Sequence, residues 1–291
     1  MLAPPVLRSL LFVPGGRPDL FPKALKTGAD ALILDLEDAV AAPFQDVARD
    51  EVKEELARSS DRLTFVRINH PDLGDLDKDL AVLAAHGAQA IMLPKVCGPK
   101  DLKQLDNRLS EREQVLGLPP NAIGVCIVIE TSLGLRNLFE TLTSTPRIRA
   151  AGLASAEQGD LMFDLGGRWT PAGEAMAYAR GKFVCDARAA GVPWLIDGAF
   201  MNLEDPAALQ KEAELARTYG FNSKVAIHPR QVEVLNRAFS PTPAELERAR
   251  GMLEAFQKAE AQGRGAIQFQ GMMVDYANIR WARQILAVPQ G

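Results

Sequence analysis

Eight short runs of apolar and β-branched residues recur at fairly even intervals along the 291 residues, at 8–13, 31–36, 64–69, 90–94, 124–130, 150–154, 194–198 and 224–228. They are apolar on both faces, as strands of a parallel sheet must be when helices cover the outside. Amphipathic stretches separate them, at 22–27, 46–58, 76–86, 99–109, 133–143, 172–190, 206–219 and 229–238. Eight strands alternating with eight helices predict an α/β (β/α)8 TIM barrel. An open doubly wound sheet is the alternative, and it rarely needs eight such units. The pairs that open on Gly28, Gly87, Gly191 and Gly220 read as helix ends leading into the next strand.

Beyond this count, Ser240-Pro-Thr-Pro243 signals a helix start, and a long helix is expected to about Gln262. A glycine-rich stretch at 263–271 and a last helix at about 277–287 follow. The domain expectation is therefore a barrel with its catalytic face over 1–240 and a C-terminal helical extension over 241–291 that covers the barrel mouth or a neighbouring subunit. The apolar helix within 269–287 would be costly to expose, which points to a partner subunit.

A net charge of −4 and a pI near 5.6 argue against a nucleic-acid or anionic-membrane surface. Trp169, Trp194 and Trp281 form no stacking stripe for nucleic acid. Cys97, Cys126 and Cys185 are odd in number, lie in or beside apolar segments and lack C-x-x-C spacing, which suits reduced thiols better than disulfides or zinc. The apolar segment at 6–13 is interrupted by Arg8 and too short to span a bilayer. A cytoplasmic protein is the expectation.

In a barrel of this kind the C-terminal strand ends converge on one face and carry the chemistry. Those ends are polar: Asp35-Leu-Glu37-Asp38, Arg67-Ile-Asn69, Lys95, Glu130-Thr131, Glu157-Gln-Gly-Asp160, Asp197 and His228. Many carboxylates with one histidine and no cysteine suit magnesium or manganese, and make zinc a poorer fit. Glu130 and Asp160, leaving successive strands, are the expected metal pair, with Arg67 placed to stabilise a developing oxyanion. Lys95 leaves a second chemistry open, since a lysine at a strand end can form a Schiff base with a carbonyl substrate. An ion pair that orients Glu130 or Asp38 is the preferred reading of it. Gly15-Gly16-Arg17 reads equally as a phosphate cradle or as a tight turn with a solvated arginine. For His228, ahead of Pro229 at a helix start, a structural hydrogen bond is preferred to catalysis; His70 and His86 read as loop and helix-end residues.

The motifs Arg8-Ser-Leu-Leu-Phe-Val-Pro-Gly15, Leu34-Asp-Leu-Glu-Asp38, Val66-Arg-Ile-Asn69, Leu93-Pro-Lys95, Ile129-Glu-Thr131, Gly159-Asp-Leu161, Ile227-His-Pro229 and Met273-Val-Asp275, in this order, resemble the citrate lyase beta subunit family of the HpcH/HpaI aldolase superfamily. The resemblance implies a magnesium-dependent barrel that cleaves or forms a carbon–carbon bond between a coenzyme A thioester and a keto acid. Citryl-CoA, malyl-CoA and citramalyl-CoA lyases are members. Carried over by motif, Arg67 contacts a substrate carboxylate or thioester carbonyl, Glu130 and Asp160 are the Mg2+ ligands, and Glu130 also faces the substrate. Asp275 is implied to reach the active site of a neighbouring subunit as acid or base, in a homo-oligomer that relatives suggest is a trimer. Asp35, Glu37 and Asp38 are expected to hold metal waters and Lys95 in place.

Two departures from the family pattern stand out: Glu157 where a glycine is usual ahead of the second ligand, and Ser223 where a glycine usually precedes the lysine of strand eight. The resemblance leaves alternatives on the same site, namely a malate-synthase-like or thioesterase-like reaction, a pyruvate aldolase that uses no coenzyme A, and a beta subunit of a multi-subunit citrate lyase. Selectivity among acyl groups lies in pocket shape, which the motifs do not carry.

Overall fold

The structure, a computed structural model, describes residues 6–58, 62–73, 75–84 and 89–287. Eight parallel strands close a barrel in sequence order: β1 (Ser9–Pro14), β2 (Ala31–Asp35), β3 (Leu63–Arg67), β4 (Gln89–Leu93), β5 (Gly124–Ile129), β6 (Ile148–Leu153), β7 (Trp194–Asp197) and β8 (Ser223–Ala226), with β8 paired back to β1. Side chains alternate between two cores, as the two-residue period of a strand requires. Leu10, Ile33, Phe65, Met92, Cys126 and Ile196 fill the barrel interior. Their neighbours Leu11, Leu32, Val66, Ile91, Ile127 and Leu195 pack under the helices. Both sets are buried, so the strands carry no solvated face.

The helices are α1 (Phe21–Leu25), α2 (Gln45–Ala57), α3 (Leu76–Leu80), α4 (Pro99–Leu116), α5 (Ser132–Arg136), α6 (Leu138–Leu142), α7 (Asp160–Asp164), α8 (Ala177–Ala189), α9 (Pro206–Tyr219) and α10 (Pro229–Ala238). The helix expected over 133–143 is broken at Asn137, whose side-chain amide donates to the Cys97 carbonyl at 2.9 Å. The helix expected from residue 172 begins only at Ala177, because Gly173 takes a left-handed φ of 74° ahead of a 3-10 turn at Glu174–Met176. One helical turn, α7, lay below the length at which periodicity is readable. Gly191 and Gly220 are left-handed at the ends of α8 and α9, as read from sequence, whereas Gly28 is not; Gly87 and His86 lie outside the described residues.

By its internal contacts the chain divides into two compact units, one spanning Leu7–Phe239 and the other built on the described residues from Ser240 onward. The second contains α11 (Pro243–Glu260), a hairpin of β9 (Ile267–Phe269) and β10 (Met272–Val274), and α12 (Tyr276–Leu286). The hairpin was not expected from the glycine-rich stretch; Gln270 and Gly271, with φ of 49° and 80°, supply the left-handed pair that its two-residue turn requires. The apolar face of α12 is taken within this unit, where Ile279, Ala282 and Val274 pack with Ala249, Met252 and Phe256. That packing corrects the reading of this face as one that needs a partner subunit. Among the described residues no helix is long and apolar enough to cross a membrane.

Candidate active site

Register brings the first two site residues together. Asp35 and Arg67 are the last residues of β2 and β3 and stand opposite each other in the ladder. The arginine fork meets the carboxylate with two bonds, Nε to Oδ1 at 2.7 Å and Nη2 to Oδ2 at 2.5 Å. Asp35 is 1% exposed, and its carboxylate also accepts the amides of Glu37 and Ala39 at 2.9 and 3.2 Å, so the chain leaving β2 wraps around it. Wrapping turns Glu37 inward. Its Oε1 accepts from Lys95 Nζ at 2.5 Å, and its Oε2 lies 3.0 Å from Arg67 Nη1 but out of line for a hydrogen bond, leaving that buried oxygen without one. Lys95 also reaches Asp38 Oδ1 at 3.3 Å, from a backbone held at a left-handed φ of 57°.

These contacts decide the state of Lys95. Burial favours loss of its proton, but the hydrogen bond to Glu37 and the charges of Glu37 and Asp38 outweigh that, so the ammonium titrates above its ordinary value. A protonated lysine committed to two carboxylates is a poor Schiff-base nucleophile. It pairs with Asp38, as read from sequence, and with Glu37 rather than Glu130. Arg67 is likewise held charged: burial opposes its charge, and the Asp35 bonds with the Glu37 and Asp38 charges overcome it. Its guanidinium also lies 4.8 Å from the centre of the Phe12 ring.

Glu130 follows β5 and is 7% exposed. Burial first, then the charge of Glu37, push its carboxyl up to about 8; Lys95 and Arg67 pull the other way, and Asp160 adds to the rise. The carboxyl is therefore a buried acid whose neighbours supply too little positive charge to ionise it at neutral pH. Asp160 stands at the exposed first position of α7, close enough for its charge to act on Glu130. Arg67 and Glu130 line a cavity of about 150 Å³ whose wall is otherwise mostly apolar, with Phe12, Met92, Val128, Ile196 and Val225 among its residues.

Other expected positions resolve differently. His228 caps α10, its Nδ1 accepting the Arg230 amide at 3.1 Å, a structural role. Arg17 is exposed and paired with Asp19 at 2.9 Å, while Glu51 and Glu55 line the adjoining pocket, so the glycine turn is a tight turn and not an evident anion cradle. His70 is buried, its Nδ1 accepting the Asp72 amide at 3.3 Å. Glu157 is exposed on the loop ahead of α7, and Ser223 is buried with its hydroxyl donating to the Leu195 carbonyl at 3.2 Å. Asp275 caps α12 in the second unit, where its Oδ1 accepts the Ala277 amide at 2.8 Å.

Asp197 is not an open acid at a strand end. It is wholly buried, bonded by Lys224 Nζ at 2.7 Å, by Ser155 Oγ at 2.7 Å and by two Arg180 nitrogens at 3.3 Å; Lys224 is shared with Glu212 at 2.7 Å. Burial would raise its carboxyl, but Lys224 and Arg180 hold it below its ordinary value. Sequence reading missed these partners. The signal was a lysine at the start of an apolar strand.

A closed parallel barrel with carboxylates and one arginine at its C-terminal mouth defines the class, a TIM-barrel enzyme with its site at the strand ends. The family model "C-C_Bond_Lyase of the TIM-Barrel fold" matches residues 183–290. The model "HpcH/HpaI aldolase/citrate lyase" matches residues 8–229, and the chain belongs to that family as a carbon–carbon lyase of the citrate lyase beta subunit kind. It is 35% identical to a citrate lyase subunit beta-like protein of Deinococcus radiodurans over 99% of both chains. It is 36% identical to a (3S)-malyl-CoA thioesterase of Cereibacter sphaeroides over 96% of this chain and 93% of that one. The CitE protein of Mycobacterium tuberculosis, solved with magnesium, acetoacetate and coenzyme A, is 29% identical and superposes with a TM-score of 0.76 over 97% of each chain.

Proposed function

We propose that the chain is a Mg2+-dependent lyase that cleaves a 3-hydroxyacyl-CoA thioester of the malyl-, citramalyl- or citryl-CoA type into an acyl-CoA and a keto acid. The observation that carries the metal is the buried Glu130 carboxyl, pushed up to about 8 beside Glu37, whose Oε2 is buried without a hydrogen bond. A buried carboxyl short of positive charge, as Glu130 is, fits a hard divalent cation. Among the described residues no three His, Cys, Asp or Glu side chains gather into a cage. Magnesium needs none, since it is typically held by one or two carboxylates with waters and substrate oxygens. Glu130 and Asp160 would be those carboxylates. When bound, the ion supplies a template and positive charge for the hydroxy-acid portion.

The protein's own residues do the rest. The 3-hydroxyl loses its proton, the C2–C3 bond breaks with its electron pair passing into the thioester enolate, and the enolate takes a proton at C2. Arg67, held charged by Asp35 and Glu37, faces the cavity and stabilises the enolate oxygen. Lys95, by neutralising Glu37 and Asp38, keeps that loop folded against Arg67. Asp275 serves as the acid or base at C2 from a neighbouring copy, in a homotrimer.

Purified protein with Mg2+ is expected to release acyl-CoA and keto acid from at least one of the three thioesters. Glu130→Ala and Asp160→Ala should each abolish this turnover, and appreciable activity in either would sink the assignment. The Cereibacter sphaeroides relative favours one rival. Free coenzyme A and malate from malyl-CoA, without acetyl-CoA and glyoxylate, would identify a thioesterase.

A further inference from the structure

The loop between β6 and α7 carries Asp160 and is clamped at its start. On one side the Ala154 amide donates to the Ile129 carbonyl at 2.9 Å, next to Glu130. On the other, Ser155 is fully buried; its Oγ donates to Asp197 Oδ1 at 2.7 Å and accepts the Gly198 amide at 3.1 Å. Asp197 cannot yield, because Lys224 and Arg180 fix it from behind. The two segments also touch without slack. A Cβ on Gly198 would lie 2.6 Å from the Ser155 amide nitrogen and 3.0 Å from the Leu153 carbonyl. From Ser155 the chain makes one tight turn, closed by Gly159 N to Ala156 O at 3.1 Å and passing through Gln158 at a left-handed φ of 58°, and then enters α7 at Asp160.

We infer that Ser155, seated on Asp197 and Gly198, is a positioning residue that sets Asp160 at its working distance from Glu130. The buried ion network of Lys224, Asp197, Arg180 and Glu212 thus serves the metal site without touching it. The inference rests on the proposed Glu130 and Asp160 ligand pair. It assigns a role to a hydroxyl and a glycine that the chemistry itself does not use.

The test is Mn2+ binding to the full-length chain, followed by electron paramagnetic resonance, because it reads the site without turnover. Ser155→Ala should weaken Mn2+ about 10-fold, in the range that partners supporting a metal site usually command. The Mg2+ concentration giving half-maximal turnover should rise by a similar factor, while kcat at saturating Mg2+ recovers. Gly198→Ala, which keeps the hydroxyl but forces the loop away, should do the same. A lower Tm with unchanged Mn2+ affinity in folded Ser155→Ala would show a merely structural hydroxyl and overturn the inference. Failure of the unaltered chain to bind Mn2+ would instead remove the ligand pair, and this inference with it.

Discussion

Glu130→Gln removes one ionisable proton from a buried site and keeps the shape of the side chain. The unaltered carboxyl titrates near 8 in the folded protein against an ordinary 4.5, so ionising it costs the folded chain on the order of 4 to 5 kcal/mol more than the unfolded one. Coupling to Glu37 and Asp160 spreads part of this over the cluster, and about 3 kcal/mol is the effect expected at one position. A raised carboxyl means that the folded chain holds the proton more tightly than the unfolded chain does. Stability of the metal-free protein therefore falls as pH rises from about 4.5 to about 8 and levels off above that. The glutamine variant lacks this loss: it should match the parent near pH 4.5 and exceed it by about 3 kcal/mol above pH 8. Urea unfolding in the presence of EDTA, at several pH values, measures the difference. Added Mg2+ should then stabilise the parent and not the variant, inverting the order. A stability difference independent of pH, or a glutamine variant less stable at high pH without metal, would refute the electrostatic reasoning on which the metal assignment rests.

Lys224→Met should destabilise the barrel by about 3 to 5 kcal/mol in chemical denaturation, because Asp197 and Glu212 lose a shared buried cation. Borohydride treatment with pyruvate or glyoxylate should leave Lys95 unmodified in peptide mass spectra, and a reduced adduct there would restore the Schiff-base alternative. Asp275→Asn keeps an oxygen to cap α12 and removes the acid, so Tm should hold while kcat falls by a factor of about 100 or more, the usual scale of a general acid or base.

The barrel was legible because its signal is repeated: eight apolar runs, each buried on both faces, leave few other ways to cover a parallel sheet. The polar cluster at the barrel mouth was legible in part for the same reason, since strand ends share one face. Pairings across the mouth were not. That Asp35 meets Arg67 is a matter of register between β2 and β3, and that Lys95 turns to Glu37 rather than Glu130 depends on a loop wrapping around Asp35, neither of which a linear pattern prints. The Asp197 network joins side chains from the Ser155 loop, α8, β7, α9 and β8, so its members are far apart in the chain and its sign in sequence was a single charged residue in β8. The departure at Glu157 looked consequential in the motif and is a solvent-facing loop position in the fold.

Charge balance ties these findings to the chemistry. Among the described residues, Arg67 and Lys95 are the cations that pair with Asp35, Glu37 and Asp38, while Glu37 and Asp160 both act on Glu130. Both cations are already spent on the residues that end and follow β2, which leaves Glu130 and Asp160 without an ion-pair partner among the described residues. An excess of this kind would be discarded in a site that used Lys95 as a nucleophile, because it keeps the ammonium protonated. In a site that recruits a divalent cation it is the condition for binding: the proton that Glu130 holds is the one the cation must displace, so metal affinity should strengthen with rising pH up to about 8. On the proposed reading Arg67, held charged and facing an apolar cavity wall, would then meet the one negative charge that the reaction itself creates.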